Sequence, residues 1–72
     1  MNLKDYIGDY LVSTVDLWFF DVGSYETMIF KKENGEIDFR DLYCERYKTE
    51  EEAKEGHKKA IEYVKNNLMN KE

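Results

Sequence analysis

The sequence predicts an α+β fold: an antiparallel β-sheet of three or four strands with one C-terminal α-helix packed on one face. Three observations carry that prediction. Residues 10–47 hold β-branched and aromatic runs parted by turn residues, which is strand and hairpin patterning. From Glu50 the apolar positions fall at Ala53, Gly56, His57, Ala60, Ile61, Val64 and Leu68, the spacing of one buried helical stripe. Between the halves, Thr49 precedes Glu52 by three residues, the spacing at which a threonine caps a helix start and the glutamate reaches back.

Length and composition bound the class. Seventy-two residues make one small domain, 1–72, with an N-terminal segment 1–9, a sheet 10–47 and a helix 49–69. A chain this short buries only ~60% of its unfolded surface, so the high aromatic content, 15%, supplies core volume in large rings. One cysteine and one histidine leave no disulfide within the chain and no zinc site, and no cofactor is expected. The net charge of −5 argues against direct nucleic-acid binding, which needs a basic footprint. It suits solubility, or a meeting with a basic partner. Met1-Asn2-Leu3-Lys4-Asp5 leads into no long apolar run, and no stretch approaches the ~20 apolar residues of a membrane span. A cytoplasmic protein without a membrane partner is expected.

Each element has its own signal. Residues 1–9 fit either a helical turn or a short edge strand. Residues 10–20 are the clearest strand. Alternation puts Leu11, Ser13, Val15, Leu17 and Phe19 on one face, and Tyr10, Val12, Thr14, Asp16, Trp18 and Phe20 on the other. Asp16 marks the second face as the wetter one, so the helix is expected on the first. Residues 21–24 read as a turn with Gly23 at positive φ, and residues 25–32 as the returning strand. Asn34-Gly35 is a strong hairpin turn. Residues 36–41 are either a continued hairpin or a loop. Residues 42–47 form a further strand with Cys44 inward, as a small buried hydrophobe.

One helix covers one face of such a sheet. The other is expected to expose Trp18, Phe20, Tyr25, Ile29, Tyr43 and Tyr47, an aromatic patch that marks a partner-binding surface. Glu51 and Glu55 extend it as an acidic margin, although cap and dipole chemistry also account for them. Cys44 with His57 could serve as nucleophile and base, but the chain shows no oxyanion site, and His57 reads better as a structural residue bonded to the sheet. Arg46 is expected to bridge the acidic helix start. Gly56 inside the helix costs about 1 kcal/mol against alanine, so it marks close packing on a strand.

Ser13-Thr14-Val15, Tyr25-Glu26-Thr27-Met28-Ile29-Phe30, and the run Arg46-Tyr47-Lys48-Thr49-Glu50-Glu51-Glu52-Ala53-Lys54-Glu55-Gly56-His57 together resemble a group of short phage and prophage proteins. These share an S-T-V strand, an E-T-M-[VI]-F strand and a R-Y-x-T-E-E-E-A-x-x-G-H strand-to-helix motif. The resemblance spans most of residues 12–64 and departs at Asp16, where an aromatic or apolar residue is expected. It implies a phage setting and no reaction. The expected function is thus non-enzymatic: a small acidic interaction protein, in a bacterial host's cytoplasm, that binds and inhibits or redirects a host protein. An anti-defence inhibitor of the anti-CRISPR kind is its sharpest version. A homodimer through the aromatic face is the expected assembly. The alternatives are a homo-oligomeric sponge for a nucleotide messenger, with Arg46 and His57 as ligand-binding residues and Arg40 or Lys31 beside them, and a virion or assembly accessory protein.

Overall fold

The structure, a computed structural model, describes residues 1–19 and 22–69, without the side chains at 18, 19, 22, 40 and 41. Four strands, β1 (Asn2–Ile7), β2 (Tyr10–Phe19), β3 (Val22–Glu33) and β4 (Glu36–Tyr47), pair antiparallel in the order β1-β2-β3-β4. The helix α1 (Glu50–Tyr63) follows and continues as one π-helical turn over Val64–Leu68. The predicted fold class is the observed one, and the N-terminal segment is the fourth strand.

Turn chemistry sets the registers. Gly8 takes φ 59 between β1 and β2, while Asn34 and Gly35 take φ 53 and 81 between β3 and β4. Two successive positive φ values make the type I′ turn that matches strand twist. Residues 36–41 accordingly continue the hairpin. Gly23 is not a turn residue: it pairs with Trp18 inside the β2–β3 ladder. β4 carries a wide bulge. Ile29 pairs with Tyr43 and Lys31 with Asp38, so residues 39–42 stand opposite Phe30 alone. An excess of this kind bends a strand and re-aims its side chains.

The helix settles on the face opposite to the one expected. Val12, Ile29, Ala60 and Val64 form the core, flanked by Ile7, Tyr10, Tyr43, Ile61, Tyr63 and Leu68. Tyr10, Val12 and Thr14 of β2 therefore lie beneath α1, together with Thr27, Ile29, Tyr43 and Tyr47, which share their face through the register. Leu11, Val15, Leu17, Met28, Phe30, Cys44 and Arg46 lie on the uncovered side. A one-residue error of phase exchanges faces throughout a sheet, and here both faces are apolar. The helix itself decides between them. Its buried stripe is Ala53, Gly56, His57 and Ala60, small residues that make room for large rings and one imidazole that needs polar partners. Only the face with Tyr43, Tyr47 and Thr14 offers both.

Thr49 caps the helix start as predicted, while the Glu52 carboxylate, expected on the Thr49 backbone N–H, meets the Thr49 hydroxyl. Thr49 accepts from the Glu52 backbone N–H at 3.1 Å, and its hydroxyl donates to the Glu52 carboxylate at 3.1 Å. Gly56 lies directly against the Tyr47 ring, so closely that a β-carbon there would overlap it.

Candidate functional site

A buried polar chain joins β1, the helix and the central strands. His57, only 5% exposed, bonds Asp5 Oδ2 through Nε2 at 2.7 Å and Thr14 Oγ1 through Nδ1 at 2.7 Å. Thr14 Oγ1 in turn lies 2.5 Å from Thr27 Oγ1. Carboxylate, imidazole and hydroxyl in that order resemble a catalytic triad in outline. A nucleophile must reach its substrate, however, and Thr14 has no exposed surface. The arrangement satisfies buried hydrogen-bonding groups and pins the N-terminal strand to the helix, as expected of a structural histidine. Cys44 takes no part: it is exposed, on the other side of the sheet. The expectation of a core cysteine is overturned with the phase.

The start of the helix opens into a cleft. A cleft of about 490 Å³ runs between β4 and α1, lined by Tyr43, Glu45, Tyr47, Glu51, Glu52, Glu55, Gly56 and Lys59. Its floor is aromatic. Tyr43 stacks against Tyr63 with centroids 5.2 Å apart and planes tilted by 43°, and Tyr47 rests on Gly56. Burial raises the Tyr43 phenol above its ordinary value, helped by Tyr47 and the Glu45 carboxylate. Burial raises Tyr47 as well. The Tyr47 hydroxyl is itself buried and makes no well-aligned hydrogen bond among the described residues. Thr27 and Tyr43 act on its ionisation in the opposite sense, lowering it against the larger effect of burial. Four carboxylates against one ammonium set the sign of the cleft.

The uncovered sheet face differs in character. Leu11, Val15, Leu17, Met28 and Phe30 run along its two central strands. Phe39 meets Phe30 edge-on at 5.7 Å and is 77% exposed, and Leu42 in the same bulge is 47% exposed. Arg46 Nε donates to Glu26 Oε2 at 2.8 Å across β3 and β4, and Cys44 Sγ lies 3.5 Å from the same oxygen. Glu26 raises the Arg46 guanidinium, first by that hydrogen bond and then by its charge. Arg46 therefore serves the sheet, not the helix start.

The expected aromatic patch is thus redistributed. Ile29 is fully buried beneath the helix and is unavailable to a partner. Tyr43 and Tyr47 lie partly under the helix and meet Glu51 and Glu55 in the cleft. Tyr25, opposite Tyr47 in the ladder, is on the helix side too. Phe20 and the side chain of Trp18 lie outside the described residues, as does the Arg40 side chain. Arg46 and His57, the alternative ligand pair, stand on opposite faces of the sheet, so no joint pocket forms. Phe39, in the stretch read as either a continued hairpin or a loop, and Leu42 are exposed in the β4 bulge, beside half-buried Met28 and Phe30 on the same side of the sheet. Their signal was present as the second apolar face of an amphipathically ambiguous sheet.

Among the described residues no cluster of three or more His, Cys, Asp or Glu side chains could hold a metal ion. No helix among them is long and apolar enough to cross a membrane. Compared with protein-family models, with curated proteins and with solved structures, the chain matches none.

Proposed function

We propose that this chain acts by binding and not by catalysis, holding a cationic segment of another protein in the cleft between β4 and the helix start. The observation that carries this reading is the meeting of Tyr43 and Tyr47 with Glu45, Glu51, Glu52 and Glu55 around one cleft. An arginine or lysine side chain is what such a lining recognises. A guanidinium over a tyrosine face gains roughly 0.5–2 kcal/mol, more as water is excluded. Carboxylates at the rim add charge-assisted hydrogen bonds, and the −5 net charge steers a basic partner towards the chain. Taken with the resemblance to short phage proteins, the partner is a host protein that this binding inhibits or redirects, an anti-defence role being the sharpest version.

A nucleotide sponge is less well supported. Phosphates would meet four carboxylates in the cleft, and Arg46 is engaged with Glu26 on the far side of the sheet. Titrating the protein with an arginine-rich peptide and with its glutamate-for-arginine counterpart, followed by tyrosine fluorescence and backbone NMR shifts, tests the proposal. The basic peptide should perturb Tyr43, Tyr47 and Gly56, weaken with salt, and lose at least about tenfold in affinity in the Glu51→Lys/Glu55→Lys variant. Equal binding of both peptides, or full binding by the charge-reversed variant, would overturn it.

A further inference from the structure

We infer that the uncovered sheet face is the interface of a homodimer, two chains packing sheet against sheet with their helices outward. This rests on the apolar face, not on the cleft, and goes beyond the binding reading above.

The chain is too open for a self-sufficient monomer of its size. It exposes 5327 Å², whereas a folded monomer of 8.7 kDa is expected to expose about 4700 Å². Its radius of gyration is 12.6 Å, against about 11 Å for a compact domain of this length. The fully buried apolar side chains of its core all lie on one side of the sheet. The other side carries Leu11, Val15, Leu17, Met28 and Phe30 with Phe39 at its margin; Leu11 is 6% exposed and the other four of the row are half-buried, while the helix, among the described residues, lies over the opposite face. The molecule is a slab of 42 × 22 × 15 Å, whose broad face spans roughly 900 Å², matching the ~800 Å² per partner of a standard interface.

A second copy fits this face better than an unrelated acidic or basic surface does. Apolar residues predominate on the two central strands, where the one acid on this face, Glu26 of β3, is only 8% exposed and bonded by Arg46. Lys4 and Arg46 lie on the edge strands and Lys32 near the end of β3, so the exposed charge described keeps to the margins of an apolar centre, as at an interface. The carboxylates of the helix start point the other way. Two such chains can therefore meet about a two-fold axis without bringing their acidic surfaces together. The dimer leaves both clefts open to solvent.

Sedimentation equilibrium across the micromolar range should give twice the chain's 8.7 kDa, falling to the monomer on dilution. Met28→Lys, at the centre of the face, should sediment as a monomer with the helical circular dichroism intact. Should that variant fail to fold, Phe39→Lys, at a position 77% exposed, should fold and weaken the dimer at least about tenfold. Glu51→Lys/Glu55→Lys should leave the dimer unchanged, which separates this inference from the cleft reading. In the unmutated protein, Cys44 beside Met28 on this face should react with a thiol reagent more slowly as concentration rises. A monomer at every concentration, or a Cys44 rate independent of concentration, overturns the inference. So does a wild-type monomer whose face is protected only by a different protein.

Discussion

Gly56 is where the two layers touch most closely, and two opposing effects meet there. Alanine in place of a helix-interior glycine ordinarily stabilises by about 1 kcal/mol. Here the added methyl would overlap the Tyr47 ring, which is held between the sheet and the helix, so relief requires moving the ring or lifting the helix. Overpacking of that kind costs about 1–3 kcal/mol. Gly56→Ala should therefore lower the urea midpoint despite its better helix propensity, and a raised midpoint would show that the ring moves aside freely. This contact was half legible in the sequence. A glycine one turn before Ala60 announced close packing, but nothing local named the ring that fills the space. That pairing depends on which face of β4 meets the helix.

At the scale of elements, local chemistry was read well and phase was not. Asn34-Gly35 and the Thr49 cap are decided by a few neighbouring residues, and both form as their spacing dictates. Strand β1 has too little apolar content to declare itself; it is secured from a distance, by pairing with β2 and by Asp5 bonding His57. Asp16 misled the choice of face. It lies on the helix side of β2, near the strand end, where it stays exposed and meets the N-terminal ammonium at 2.6 Å. Thr14 and His57 carried the better signal, since a helix that buries an imidazole must find hydrogen-bonding partners beneath it. The cap also gives a test. Thr49→Ala removes the acceptor for the Glu52 N–H and should destabilise the protein by about 1 kcal/mol in chemical denaturation. No change in midpoint would mean that the first turn is held by the glutamates and the dipole alone.

Across the whole molecule, sheet and helix are joined along a line on which Tyr43 and Tyr47 stand. Both phenols are raised above their ordinary value of 10.0, burial being the largest cause in each. In the unfolded chain they would titrate near that ordinary value. The folded state thus favours their neutral forms, and the stability linked to this preference is fully present below about pH 10. It is lost as pH rises through the higher folded values, because ionisation is then easier in the unfolded chain. The helix rests on these rings, so the loss should appear in the cooperative unfolding of both layers together. Denaturant midpoints measured from pH 8 to beyond pH 11 should hold steady and then fall, in step with the rise of phenolate absorbance. The comparison that decides is with Tyr43→Phe/Tyr47→Phe. Its alkaline decline should be shallower than that of the unmutated protein. Equal declines in the two proteins would place the alkaline weakness elsewhere and remove the tyrosines from the joint.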